Sequence, residues 1–290
     1  MEELNEIQDY NEESLDGYKY LFVDIDGTML TSKKDVSKST YHTFKQLNDL
    51  GVEVVLSSGR QRSNCEKIAD IVGSGRYIIS SNGGDVYDRA TGNVVYSENM
   101  PIEALRKIID IVNEYSLRIR IISGDTGFIN KEILNPQDET LFDGDYEELF
   151  STHNIPQVVL YMNTVEDFEK VKTLIANIPQ VKIKNQTKNM ENQKRFFIDV
   201  ASKDTSKGKA IKFLLKELNI PTIVTMAIGD ENNDVSMFDA VGVGIAMGNA
   251  SKLCKERASM VTLDNDNDGI YKACVNLFDI EELNEEFDED

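Results

Sequence analysis

Residues 20–31, Tyr20-Leu21-Phe22-Val23-Asp24-Ile25-Asp26-Gly27-Thr28-Met29-Leu30-Thr31, decide the fold of this 290-residue chain. Four apolar or aromatic residues run without a break into Asp24, which predicts a buried parallel strand. Two carboxylates one residue apart then stand at its end, and charges leaving water need partners. In open α/β sheets ligands sit at the carboxyl ends of strands. The stretch therefore puts two acids where a metal and an anion could meet them, and Gly27 allows a sharp turn or a close backbone approach. The plainer alternative is a strand ending in a polar turn with both acids solvated.

Outward from this stretch, Tyr41, Phe44, Leu47 and Leu50 have helical spacing, with Ser37 or Ser39 able to cap and Gly51 to stop the helix. Val52–Leu56 is a second buried strand, so strand, helix and strand form a βαβ unit with parallel pairing. It ends in Ser58-Gly59-Arg60, with the next helix starting near Ser63. A hydroxyl, free N–H groups and a planar cation suit an anion. Tyr77–Ser80 is a third strand leading into Asn82-Gly83, and a small hairpin follows around Thr91-Gly92.

From Pro101 the rhythm changes. An amphipathic helix carrying Ile102, Leu105, Ile108, Ile109 and Val112 is followed by strands in adjacent pairs with a helix between them, an α+β pattern. Residues 134–154 read as irregular and acidic. The β-α-β rhythm resumes at Lys207-Gly208, continues through a buried strand over 222–228, and meets Gly229-Asp230-Glu231-Asn232-Asn233-Asp234. The expected organisation is an α/β, Rossmann-like parallel-sheet core over 18–98 and 201–279, an inserted α+β domain over 99–200, and acidic tails over 1–17 and 280–290.

The formal net charge of −20 is concentrated at the ends. Met1–Gly17 holds seven acids and Asp279–Asp290 eight, with no base in either, leaving about −5 for the body. Such tails read as solvated. No basic stripe favours nucleic acid, and no apolar run approaches the ~18 residues of a membrane span. Cys65, Cys254 and Cys274 show no pairing of the kind that disulfide frameworks or zinc sites use. The acidic N-terminus is no signal peptide, so a cytoplasmic location is expected. The two histidines, His42 and His153, stand apart from every motif, which disfavours a histidine triad or a multi-histidine metal site. Asp264–Gly269 opens like a calcium loop, but Val275 occupies the twelfth position where glutamate is needed, so a polar turn is expected. Gly242, Gly244 and Gly248 miss the dinucleotide spacing.

Four strand ends thus carry polar groups: Asp24/Asp26, Ser58/Arg60, Asn82, and Asp230/Asn233/Asp234, with Lys207 opening a helix near the same edge. Carboxylates without histidine favour a hard ion such as Mg²⁺, and lysine, arginine and hydroxyl favour a phosphate. Together they favour phosphoryl transfer. Asp24, at the buried strand end, is the better nucleophile, since a carboxylate can form an acyl phosphate. Asp26 points the same way and can move the proton.

Phe22-Val23-Asp24-Ile25-Asp26-Gly27-Thr28, Ser58-Gly59-Arg60, Lys207-Gly208 and Gly229-Asp230-x-x-Asn233-Asp234 resemble, in order, the four motifs of haloacid-dehalogenase-like (HAD) superfamily phosphatases. Asn82-Gly83, Ala246-Met247-Gly248-Asn249-Ala250 and Asp268-Gly269 are similar to further signatures of its Cof-type branch. The resemblance implies Asp24 as nucleophile and Mg²⁺ ligand, and Asp26 as general acid/base that ligates through its carbonyl. It implies Asp230 as a further ligand with Asp234 close by, Ser58 and Lys207 on the phosphate, and Asn233, Gly59 and Arg60 on phosphate or substrate. About thirty residues separate the first two motifs and about 147 separate Arg60 from Lys207. The inserted block therefore resembles the type IIB cap of Cof-type enzymes, which closes over the site. The implied activity is a Mg²⁺-dependent phosphatase acting on small phosphate esters, sugar phosphates foremost. The alternatives are an enzyme like phosphomannomutase or sucrose-phosphate phosphatase, and a non-catalytic binding protein working through its tails. Lys182, Lys184, Lys188, Lys194 and Arg195 form a basic excess in the insert, read as a solvated face.

Overall fold

A computed structural model describes residues 17–131, 139–189, 195–275, 277, 278 and 280. The two acidic tails, apart from Gly17 and Ile280, lie outside the described residues. The first block runs β1 (Tyr20–Val23), α1 (Lys38–Asp49), β2 (Glu53–Ser57), α2 (Arg62–Val72), β3 (Tyr77–Ser80), β4 (Asp85–Asp88) and β5 (Asn93–Ser97). The middle block runs α3 (Ile102–Glu114), β6 (Arg118–Ser123), β7 (Thr126–Ile129), β8 (Glu139–Leu141), α4 (Tyr146–Thr152), β9 (Gln157–Met162), α5 (Val165–Ala176), β10 (Val181–Asn189) and β11 (Arg195–Ser202). The chain then returns through α6 (Lys207–Glu217), β12 (Thr225–Gly229), α7 (Val235–Phe238), β13 (Val243–Ala246), α8 (Lys252–Arg257), β14 (Met260–Val261) and α9 (Gly269–Val275).

The first and last blocks share one eight-stranded sheet in the order β14-β13-β12-β1-β2-β3-β4-β5. Pairing is parallel from β14 to β3 and antiparallel through β4 and β5. The β1 run Leu21-Phe22-Val23 is fully buried, as are Val54, Val55 and Leu56 of β2 and Met226, Ala227 and Ile228 of β12. Continuous apolar runs of this kind suit strands covered on both faces, and burying each large side chain stabilises by about 1.5–3 kcal/mol. From β1 the chain moves outward to β2 and β3, and after the insertion it restarts on the other flank of β1 at β12. Asp24 therefore sits where the strand order reverses, the place at which open α/β sheets form their ligand crevice.

The middle block builds a six-stranded sheet in the order β10-β11-β9-β6-β7-β8. Along its central strands, alternate residues such as Ile119, Ile121, Val158, Leu160, Ile198 and Val200 turn inward to Ile108 and Val112 of α3 and to Phe168 and Val171 of α5. This apolar cluster is separate from that of the large sheet. The residues between them, Arg120, Gln157, Tyr161, Phe197 and Asp199, fall on the opposite face by the period of two. The architecture is thus α/β, a parallel-rich sheet core with an inserted α+β unit.

Two details differ from the pattern reading. The stretch expected to be irregular holds α4, capped by Asp145, whose carboxylate accepts from the Glu147 N–H at 2.8 Å. Glu147 and Glu148 lie in its first turn, where acids complement the helix dipole, and Leu149 and Phe150 are buried. The acidity that suggested a loop is what a helix start favours. Thr222–Val224 form a 3₁₀ turn, and the strand begins at Thr225. Among the described residues no helix is long and apolar enough to cross a membrane.

Candidate active site

Asp24 follows β1, and Asp230 and Asp234 lie in the loop between β12 and α7. All three are buried, and each offers a carboxylate oxygen within 4.8 Å of the others. Ser206 caps α6, its hydroxyl accepting from the Lys209 N–H at 3.1 Å, which makes Lys207 the first helical residue. Lys207 is 1% exposed, and its Nζ donates to Asp24 Oδ1 at 2.5 Å and to Asp234 Oδ1 at 2.6 Å. The neighbouring Gly208 has no room for a side chain: a Cβ would collide with the Ser236 carbonyl, so α6 and α7 approach closely. Asp234 Oδ2 accepts from the backbone N–H groups of Asp230 and Glu231, both at 2.9 Å. Both oxygens of Asp234 are thus held by protein donors. Asp230 Oδ1 accepts from Thr28 Oγ1 at 2.8 Å, and Gly27, at φ +83°, turns the chain where a Cβ would strike that carboxylate.

These acids carry more charge than their surroundings balance. Burial drives the Asp24 carboxyl well above its usual range, with Lys207 pulling the other way and Asp234 adding to the rise. Burial likewise pushes Asp230 up to about 6, against the Thr28 hydrogen bond. Lys207, despite burial, is held protonated by Asp234 and Asp24. Among the described residues Lys207 is the one cation bonded to the cluster. With all three carboxylates ionised, the one ammonium leaves two negative charges unmatched, which is why burial raises Asp24 and Asp230, and all the donors on offer are oxygen. That surplus and that donor set fit a hard divalent cation.

Asp26 stands outside the cluster, with its side chain 42% exposed. Arg60 donates to it twice, Nε to Oδ2 and Nη2 to Oδ1, both at 2.7 Å, and Lys34 Nζ reaches Oδ1 at 3.3 Å. Burial alone would raise the Asp26 carboxyl, but Arg60 and then Lys34 hold it below the ordinary range. Ser58 is buried, its hydroxyl accepting from the Arg60 N–H at 3.2 Å. Gly59 packs against the Asn82 amide. Asn233 Nδ2 donates to Asn82 Oδ1 at 2.9 Å, while its own Oδ1 is buried with no partner. Asp24, Asp26, Ser58, Gly59, Arg60, Asp230 and Asn233 line one cleft of about 730 Å³. Lys207 and Asp234 form the buried layer beneath it.

The 264–269 stretch is a polar turn that braces the loop after β1. Asp266 Oδ1 accepts from the Ser32 N–H, Asn265 Nδ2 donates to the Leu30 carbonyl, both at 2.8 Å, and Asp268 accepts from Ser39 Oγ. All three cysteines are buried, and burial pushes each thiol up to about 12, so none offers a thiolate. Of the basic excess, Lys184 lines the cleft and donates to the Thr205 carbonyl, burial lowering it to about 8. The side chains of Lys188, Lys194 and Arg195 lie outside the description.

The far wall of the cleft comes from the second sheet and was not singled out from sequence. Phe197 and Asp199 line it, and they also line an adjoining cavity of about 370 Å³ with Arg120, Gln157 and Tyr161. Asn82 Nδ2 reaches Gln157 Oε1 at 3.3 Å, tying this wall to the end of β3. The available signal was an acid inside the apolar run Phe196-Phe197-Ile198-Asp199-Val200.

The family model for haloacid dehalogenase-like hydrolases matches residues 21–274. The chain belongs to this family. It is 28% identical over 277 residues to Phosphatase YwpJ of Bacillus subtilis, covering 87% of this chain and 97% of the relative. It is 25% identical over 255 residues to the B. subtilis 5-amino-6-(5-phospho-D-ribitylamino)uracil phosphatase YcsE, covering 88% and 94%. The fold is shared with the HAD subclass IIB sugar phosphatase BT4131, at TM-score 0.72 and 23% identity over 89% of this chain and 98% of that one. The motifs that resembled this family therefore lie in a chain of its fold.

Proposed function

We propose that this haloacid dehalogenase-like hydrolase is a Mg²⁺-dependent phosphatase that hydrolyses small phosphate monoesters, sugar phosphates foremost, through an aspartyl phosphate on Asp24. The observation that carries the reading is the charge imbalance. Three buried carboxylates cluster at the end of a parallel sheet with one lysine, which bonds two of them, and a serine hydroxyl and an arginine line the same cleft. The names of the relatives and the subclass of the neighbour support the reaction class.

On this reading a divalent cation, held by Asp24, the Asp26 carbonyl and Asp230, would neutralise charge on the phosphoryl oxygens. Asp234, with both oxygens already engaged, acts by fixing Lys207 and the loop carrying Asp230. Asp24 attacks phosphorus as the ester P–O bond breaks. Ser58 and Lys207 hold the phosphoryl oxygens. Asp26 gives its proton to the departing ester oxygen, then takes one from the water that attacks the acyl phosphate, releasing phosphate and free Asp24. Arg60 and Lys34 hold Asp26 ionised in the free protein, so its proton-donor role requires the substrate's phosphate to draw Arg60 away from it. The domain boundaries near residues 99 and 200 are part of the same proposal, with the inserted unit as a cap over the cleft.

The purified protein should hydrolyse p-nitrophenyl phosphate with Mg²⁺, lose this in EDTA, and regain it on Mg²⁺ addition. Full activity in EDTA would remove the cation from the reading. No hydrolysis of any phosphate ester would sink the reading as a whole.

A further inference from the structure

One wall of the cleft holds an acid that the proposed chemistry does not use. Asp199 lies on β11, paired with Val159 of β9 on one side and Asn185 of β10 on the other. Phe196, Ile198 and Val200 turn into the apolar cluster under α3 and α5. The period of two leaves Phe197 and Asp199 on the cleft face. Asp199 lines both the main cleft and the adjoining 370 Å³ cavity, so it stands where the two spaces join.

This carboxyl is only 8% exposed, yet among the described residues it makes no hydrogen bond or ion pair. Arg120 shares its cavity but is turned to other partners. It sits 3.0 Å from Glu139 Oε1, without hydrogen-bond alignment, and its Nη2 donates to Gln61 Oε1 at 2.5 Å. Burial pushes the Asp199 carboxyl up to about 7, and Arg120 only partly offsets this. A largely buried polar group with no protein partner costs stability, most when it is charged. The cost is recovered when a ligand brings the missing donors. Asp24 and Asp199 line the same cleft, so the wall carrying Asp199 is within the space open to the organic part of a phosphate ester placed at Asp24.

We propose that Asp199 is a specificity residue that accepts hydrogen bonds from hydroxyl groups of the leaving group and disfavours a second anionic group there. The inference rests on the phosphatase reading and deepens it. The favoured class is a hydroxyl-rich phosphate monoester, of the polyol or sugar type. A site that hydrogen-bonds a substrate hydroxyl rejects an analogue lacking it far more sharply than an apolar pocket rejects a lost methylene. A carboxylate placed against Asp199 adds like-charge repulsion to the unmet hydrogen bond.

The test compares kcat/KM at pH 8 for sorbitol 6-phosphate, 6-phosphogluconate and p-nitrophenyl phosphate. The first two share a carbon skeleton and differ in a terminal hydroxyl against a carboxylate. Wild type should prefer sorbitol 6-phosphate to 6-phosphogluconate. Asp199→Asn should lower the ratio of sorbitol 6-phosphate to p-nitrophenyl phosphate at least fivefold, chiefly through KM, and shrink the preference over 6-phosphogluconate. A purely structural role would scale all three substrates alike, so a ratio that changes less than fivefold overturns the inference. If Asp199→Asn does not fold, Asp199→Ser gives the same comparison without the charge. Hydrolysis of p-nitrophenyl phosphate by wild type keeps the phosphatase reading intact whichever way the ratio falls.

Discussion

Replacing Asp199 by asparagine should make the protein more stable at pH 8 and leave its stability unchanged at pH 4. The folded carboxyl titrates at about 7 because burial penalises its charge, with Arg120 the opposing influence. In the unfolded chain an aspartate titrates near ~3.9. Between these values the folded state keeps a proton that the unfolded chain has lost, so wild-type stability falls as pH rises from about 4 to about 7. The full shift of roughly three units corresponds to about 4 kcal/mol at ~1.36 kcal/mol per unit. Water in the cleft relaxes part of that penalty, so the expected gain is about 2–4 kcal/mol above pH 7. The amide keeps the shape, and Arg120 keeps Glu139. Urea unfolding of both proteins at pH 4, 6 and 8 without added metal isolates this group, since the acids at Asp24 and Asp230 titrate alike in each. A variant less stable than wild type at pH 8, or a difference that does not grow with pH, would show that the buried Asp199 charge is not what destabilises the fold.

Lys207→Met should cost about 3–5 kcal/mol in urea unfolding at pH 8 without metal, because two buried carboxylates lose their shared cation; a loss under about 1 kcal/mol would show that Lys207 does not hold the cluster together. Asp26→Ala should lower kcat by roughly 10²–10⁴ on an alkyl phosphate, whose leaving oxygen needs a proton, and far less on p-nitrophenyl phosphate. Equal losses on the two substrates would remove Asp26 from the proton-transfer role.

The parts of this molecule that could be read in advance are those where one residue type has few physical uses. An apolar run that breaks off at two acids has the pattern of a buried strand, and β1 is that strand. The βαβ spacing likewise fixed the parallel pairing of β1 with β2. What stayed hidden depends on contacts between distant segments. The pair of hydrogen bonds from Arg60 to Asp26 spans 34 residues, and the Asp234 carboxylate is occupied by Lys207 and two backbone N–H groups. Neither arrangement has a local signature. Helix α4 was hidden because its acids serve a dipole instead of a loop. Asp199 was visible as a misfit in an apolar strand, but its meaning needed the sheet face on which it falls.

In the proposed mechanism Asp24 carries the phosphoryl group. Acid-quenching the enzyme during turnover of p-nitrophenyl phosphate, reducing with borohydride and mapping the peptides by mass spectrometry tests this directly. Borohydride converts an aspartyl phosphate to homoserine, so homoserine is expected at position 24 and at no other aspartate, and none without substrate. Homoserine at Asp26, Asp230 or Asp234, or an unmodified Asp24 under conditions of rapid turnover, would contradict it.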